Sequence, residues 1–183
     1  GYDLNTVSYT GNASTFGGSL SYPLLRSAER NVSLQASVER KRFRNLVAGV
    51  ELSHKLVDLL TLGFNADRVD DWSGGGVWIF SGQMNLGRLD LSANATDLAN
   101  DQLADGPRRN GRFVKVGATL TRVQRIDALQ TLTVTGSGQK ANKNLDSSEK
   151  LQLSGPYAVR AYSVSEPSAD TGVVLSLDWK FKL

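Results

Sequence analysis

Five stretches of this chain change polarity at every residue. In 112–126, Val114, Val116, Ala118 and Leu120 alternate with Lys115, Gly117, Thr119 and Thr121. In 129–138, Leu132 and Val134 alternate with Thr131, Thr133, Thr135 and Ser137. Trp78, Phe80, Gly82, Met84 and Leu86 oppose Ser81, Gln83 and Asn85 in 76–88, and Val32, Leu34, Ala36 and Val38 oppose Ser33, Gln35, Ser37 and Glu39 in 32–42. At 173–183, Val173, Leu175, Leu177, Trp179, Phe181 and Leu183 alternate with Val174, Ser176, Asp178, Lys180 and Lys182. Successive side chains of a strand point to opposite faces, whereas a helix repeats about every 3.6 residues. Each stretch is therefore read as a strand with one greasy and one wet face, and a helix is excluded there.

Further strands are expected over 2–9, 14–25 and 55–68, the last with Leu60, Leu62, Phe64 and Ala66 on its apolar face. That makes an all-β, antiparallel chain of about eight long strands. Several run to 11–14 residues, against about 5–6 in soluble proteins and about 9–11 for a membrane crossing. The polar face carries Thr, Ser, Gln, Asn, Lys and Glu, which suits a wet lumen better than a dry core. Length and polarity together point to a segment of a transmembrane β-barrel. No apolar run reaches the roughly 18–20 residues of a spanning helix, a test that barrels evade.

Composition narrows the chemistry. The chain has 183 residues, no cysteine and one histidine, His54. Disulfide scaffolds, thiolate metal sites and two-histidine sites are thereby excluded, and a single histidine makes a hydrolase triad a long shot. No enzyme activity and no metal or nucleotide cofactor is expected. The net charge of +3 is small and dispersed, so nucleic acid is not an expected partner. His54, after Gly49-Val50-Glu51-Leu52-Ser53, is read as a solvated loop histidine, and Arg40-Lys41-Arg42 with Arg44 as a solvated strand end in preference to a contact for anionic lipid headgroups. Gly74-Gly75-Gly76 lacks the following G-K-[ST] of a phosphate loop. Tyr22, Trp78, Trp179 and Phe181 suit aromatic girdles at membrane interfaces. Gly1-Tyr2-Asp3-Leu4 has neither the basic start nor the apolar core of a signal peptide, and the missing Met suggests a cut or processed end.

Connections alternate in length. Residues 27–31, 70–75 and 127–128 read as tight turns, while 89–111 and 145–170 are long; links after Thr10 and over 45–54 fall on the long side but are shorter. In an outer-membrane barrel tight turns are periplasmic and long loops extracellular. No linker divides the chain. A soluble β-barrel or sandwich binding a small ligand, and a passive porin, are the alternatives that alternation by itself leaves open.

The second long link carries the most specific residues: Asn144-Leu145-Asp146-Ser147-Ser148-Glu149-Lys150, then Gly155-Pro156, Val159-Arg160-Ala161-Tyr162, and Glu166-Pro167-Ser168-Ala169-Asp170-Thr171-Gly172. With Ser21-Tyr22-Pro23-Leu24-Leu25-Arg26-Ser27, Asp71-Trp72-Ser73-Gly74-Gly75-Gly76 and Gly87-Arg88-Leu89-Asp90-Leu91 upstream, this order resembles the haemolysin secretion/activation proteins, the outer-membrane transporters of two-partner secretion. Ser154 and Ala169 depart from the family pattern, which has glycine at both places.

The resemblance implies a sixteen-stranded barrel preceded by periplasmic POTRA domains. Residues 1–183 would form part of that one barrel domain, strands five to twelve, with the POTRA domains absent. It implies a translocation pore of a two-partner (type V) system in the bacterial outer membrane, in contact with its lipid, exporting or activating, or both, an unfolded haemolysin- or adhesin-like partner. It also implies that Val159, Arg160, Ala161 and Tyr162 form a loop tip folded into the lumen, with Asp146, Glu149, Gly155, Pro156, Asp170 and Gly172 supporting it. Arg160 would be held there by an aspartate on a strand just beyond this chain. A guanidinium presents five donors in a fixed fork and keeps its charge, so it is costly to bury without such a carboxylate.

Overall fold

A computed structural model describes residues 9–152 and 168–182. The alternating stretches become strands β1 (Tyr9–Arg26), β2 (Arg30–Val47), β3 (Val50–Asp70), β4 (Gly76–Asp90), β5 (Gly111–Arg125), β6 (Gln130–Ala141) and, after two short strands introduced below, β9 (Gly172–Phe181). They form one seven-stranded antiparallel sheet in sequence order, with β1 and β9 at its edges. Each strand pairs with the next through a tight turn or a long loop, so contacts stay between chain neighbours. The sequence-expected strand at 2–9 lies outside the described residues except for Tyr9.

Two expected links are corrected. No link follows Thr10, because β1 stays paired with β2 from Tyr9↔Val47 down to Arg26↔Asn31. The link over 45–54 shrinks to Ala48-Gly49, with φ of 49° and 79°, between the paired Val47 and Val50. Two consecutive left-handed residues match the twist of flanking strands, and glycine adopts that conformation without a Cβ penalty. His54 therefore sits in β3 opposite Arg44 rather than in a solvated loop. Its Nδ1 lies 3.6 Å from Glu51, and its Nε2 is buried without a hydrogen-bond partner among the described residues.

The tight-turn end is held by side chains. Gln124 Nε2 donates to the carbonyls of Trp72, Ser73, Gly75 and Arg125 at 2.9–3.1 Å. Arg122 pairs with Asp70 and lies 5.6 and 5.0 Å from the ring centroids of Trp72 and Trp78. Asp127 Oδ1 accepts from the backbone of Leu129 and Gln130.

The sheet's two faces differ sharply. On the outer face, register aligns two charged or aromatic rows: Arg30, Arg68, Trp78 and Arg122 near the tight turns, and Arg40, Asp58, Arg88 and Arg112 near the long loops. Ten residues separate the rows on every strand, about 33 Å along the chain. At a tilt of about 40° that is ~25 Å of height, the apolar band of a membrane barrel. Between the rows each strand offers four outward positions, filled by residues such as Leu34 and Val38 on β2, Leu60, Leu62 and Phe64 on β3, and Met84 and Leu86 on β4. These side chains are exposed, as are Phe16 (84%) and Leu20 (73%) on β1. Tyr22, Trp78, Trp179 and Phe181 are likewise exposed on this face.

The buried core lies on the opposite, inner face beneath the long loops. Val57, Leu59, Leu89, Leu91, Phe113 and Leu145 form it, with Phe43, Leu98 and Ala141 packed against them. Gly87 is bare because the Phe113 ring lies across it; a Cβ there would collide with that ring. Toward the tight turns the inner face is polar, with Thr119 to Ser137 and Thr121 to Thr135 hydroxyl pairs at 3.0 and 3.1 Å.

Candidate functional site

The loop after β6 folds back over the inner face. Asn142 to Lys150 crosses β5, β4 and β3, burying Leu145 (1% exposed), Asp146 (3%) and Glu149 (2%). Its local fold is dictated by Asp146, whose Oδ1 accepts from Ser148 N at 3.2 Å and Ser148 Oγ at 3.0 Å. That cap starts a single 3-10 turn, Ser147–Glu149, which aims the Glu149 carboxylate at the sheet.

Four cations from the sheet and the neighbouring loop meet these two carboxylates. Lys55 on β3 reaches Asp146 Oδ2 at 2.8 Å, and Arg109 lies 3.7 Å from the same oxygen. Lys41 on β2 and Lys115 on β5 reach Glu149 Oε1 and Oε2 at 3.0 and 2.9 Å. Burial pushes the Asp146 carboxyl up, but the Lys55 hydrogen bond and charge, with the Ser148 bonds, outweigh it and hold the group below its ordinary value. Removing one partner of such a buried pair costs about 3–5 kcal/mol, because the other charge is left uncompensated.

Arg109 also ties the two long loops together. The loop between β4 and β5 contains helix α1 (Ala95–Asp101), capped by Asn94. Asp101 is buried and accepts from Arg109 N, Arg109 Nε and Asn110 N at 2.9–3.0 Å. Burial raises its pKa, yet the Asn110 and Arg109 donors more than offset this and keep the carboxyl below its ordinary value. Lys143 Nζ donates to the Asn110 carbonyl and Asn144 Nδ2 to that of Pro107, so the loops are stitched along their length.

The returning chain closes the base. Short strands β7 (Leu151–Gln152) and β8 (Ser168–Ala169) pair antiparallel, Leu151 opposite Ala169 and Gln152 opposite Ser168. Asp170 Oδ1 accepts from Leu145 N at 2.9 Å and lies 3.7 Å from Lys150, and Gly172 begins β9 opposite Gln139. Gln139 Nε2 donates to the carbonyls of both Glu149 and Asp170 at 3.3 Å.

Asp146, Glu149, Asp170 and Gly172 are thus brought together as the base of one loop. Gly155, Pro156, Val159, Arg160, Ala161 and Tyr162 lie outside the described residues. Sequence reasoning missed Lys41, Lys55, Lys115, Arg109 and Gln139. It grouped Lys41 with Arg40 and Arg42 as one solvated strand end; alternation turns Lys41 to the inner face, while Arg40 pairs outward with Asp58 at 2.6 Å. The arrangement is a set of ion pairs and hydrogen bonds. It fixes Gln152 opposite Ser168, the two residues that flank 153–167.

Known proteins resemble this chain in sequence and in fold. The family described as "Haemolysin secretion/activation protein ShlB/FhaC/HecB" matches residues 2–183. The heme/hemopexin transporter protein HuxB of Haemophilus influenzae is 23% identical over 186 aligned residues, covering 100% of this chain and 32% of HuxB. CdiB from Escherichia coli superposes with a TM-score of 0.79 at 19% identity, over 96% of this chain and 32% of CdiB. CdiB from Acinetobacter baumannii gives 0.70 at 18% identity, over 97% and 30%. The chain spans about a third of the length of the relatives it matches.

Proposed function

This chain belongs to the haemolysin secretion/activation family, the two-partner secretion transporters of the Gram-negative outer membrane, and on that premise we propose that it forms part of the wall of the translocation pore. The whole transporter exports an unfolded secreted partner protein through the lumen that the inner face lines, and the outer face contacts membrane lipid. Segment 153–167, carrying Val159-Arg160-Ala161-Tyr162, reaches into that lumen as a loop tip that guides or gates the passing chain. Gly155 and Pro156 are assigned a supporting part by the family resemblance alone. No catalytic step is assigned to any residue.

The observation that carries this reading is the burial of Asp146 and Glu149 against lysines of three different strands. Desolvating two carboxylates and three ammonium groups is wasteful for a loop that merely connects two strands. It is sensible for a loop that must hold one position inside a wet channel while a polymer slides past.

The test is secretion by the full-length transporter. Arg160→Ala should cut secreted partner at least tenfold relative to folded transporter in the outer membrane, and Arg160→Lys should restore only part, since a point charge lacks the bidentate fork. A cysteine at Asn100 should react with an impermeant thiol reagent on whole cells, and one at Ala128 should not. Normal secretion by Arg160→Ala would refute the loop mechanism, and reversed labelling would refute the orientation.

A further inference from the structure

The outer face is not a uniform apolar wall. Near the long-loop end it holds a groove of ≈ 940 Å³, with Phe16, Val38, Leu60, Leu86 and Val114 among its walls. Gly18 opens its floor: a Cβ built there meets no atom within 4 Å. Where the groove meets the loop-end charged row, it is bordered by Arg40, Asp58, Arg88 and Arg112.

The charges along that border do not balance. Arg40 and Asp58 satisfy each other through two hydrogen bonds of 2.6 and 3.0 Å. Arg88 and Arg112 stand directly opposite one another on β4 and β5, facing the same way. Like charges in that position repel. The carboxylates near Arg88 are Asp90, at 3.7 Å, and Asp58, directly opposite on β3 and already bonded twice to Arg40; Arg88 stays largely solvent-exposed, and Arg112 makes no ion pair among the described residues. Two guanidinium groups side by side form a ready donor set for one phosphate, whose oxygens can accept bidentate bonds from each.

We propose that this groove is a binding site for a phosphorylated lipid of the outer leaflet, with its phosphate at Arg88 and Arg112 and an acyl chain along Val38, Leu60, Leu86 and Val114. The inference rests on the outer-membrane orientation argued above. The geometry has the right polarity for such a ligand, because the cations lie at the loop end of the ~25 Å band and the apolar row of Val38, Leu60, Leu86 and Val114 lies beside them on its mid-membrane side. A soluble anion would match the arginines but leave the groove uncovered. An apolar segment of another protein would fill the groove but leave the arginine pair uncompensated.

The experiment uses full-length transporter, purified in detergent and mixed with bisphosphorylated lipid A or with the same lipid enzymatically dephosphorylated, with bound lipid counted by native mass spectrometry. The wild type should retain the bisphosphorylated form at least tenfold better. Arg88→Gln with Arg112→Gln should lower that retention to the dephosphorylated level, while Arg42→Gln, an exposed cation on the same face outside the groove, should leave it unchanged. Gly18→Leu, which fills the groove where space is open, should weaken both lipids. Heat-modifiable gel mobility confirms that each variant is folded. Equal retention by wild type and the double variant, with secretion intact, would overturn the lipid site alone. Failure of the wild type to retain any lipid, phosphatidylethanolamine included, would overturn the site together with the membrane orientation.

Discussion

Lys115 holds Glu149 by two atoms at once: its Nζ lies 2.9 Å from the carboxylate and donates to the backbone carbonyl of the same residue at 2.8 Å. One strand side chain thereby fixes both the rotamer and the backbone of the loop it faces. Lys41 occupies the second carboxylate oxygen, so the residue is clamped from two strands that are not adjacent in the sheet.

Glu149→Gln should release that clamp. The amide cannot neutralise Lys41 and Lys115, and a broken buried pair costs about 3–5 kcal/mol. Hydrogen exchange of backbone amides over 142–152 in the full-length transporter should accelerate at least ~100-fold, with the strand amides of β3 to β5 unchanged. Unaltered exchange in the loop would show that the ion pairs do not hold it.

Asp146 sets a pH limit on the same docking. Its carboxyl titrates below the ordinary value in the folded state. Its contribution is therefore fully present above the unfolded aspartate pKa of about 3.9 and is lost as pH falls through the lowered folded value. Loop protection, corrected for intrinsic exchange, should stay flat from neutral pH down to about 5 and fall only below about 4. Asp146→Asn should weaken protection at every pH and remove its share of the acid-induced change. A loss of protection beginning near neutrality would contradict this assignment.

The two faces should respond oppositely to charge. Leu62→Arg or Leu120→Arg places a cation within the apolar band and should cost ~2–4 kcal/mol of barrel stability. Gln83→Arg on the wet inner face should stay within about 0.5 kcal/mol of the parent. Unfolding of the full-length barrel in urea, read by tryptophan fluorescence, measures both. Equal losses at the two sets would mean that the faces are assigned wrongly.

Gly87 and Phe113 should behave as one unit. Because the Phe113 ring covers the bare glycine, Gly87→Val overpacks the core under the long loops and should cost about 1–3 kcal/mol. Phe113→Ala should cost about 3–5 kcal/mol through the cavity it leaves. Gly87→Val combined with Phe113→Leu should be less harmful than the two single losses added, and strict additivity in the same unfolding assay would remove the coupling.

Much of this could be read along the chain. Alternation located the long strands and told their faces apart, and the motif from Asn144 to Lys150 marked the loop that docks. The links after Thr10 and over 45–54 were misjudged because polar residues on one face of a long strand look locally like a turn. The chain reverses there at Ala48-Gly49 alone, with one bulge that leaves Leu52 unpaired between Glu51 and Ser53. The ten-residue spacing of Arg30 and Arg40, Asp58 and Arg68, Trp78 and Arg88, and Arg112 and Arg122 was present in the letters. It acquires meaning once register aligns these residues into rows.

Alternation is a property of neighbouring residues, so the sequence alone determined that this chain makes long two-faced strands joined in order. Which charges meet is a property of register and loop path. Lys41 and Glu149 are 108 positions apart, and Lys55 and Asp146 are 91. No local pattern encodes those distances. Pairing of the strands brings Lys41, Lys55 and Lys115 onto one face, and the fold of 142–150 carries two carboxylates across them. A buried charge survives only where such partners arrive together, and the tertiary structure alone decides where that is.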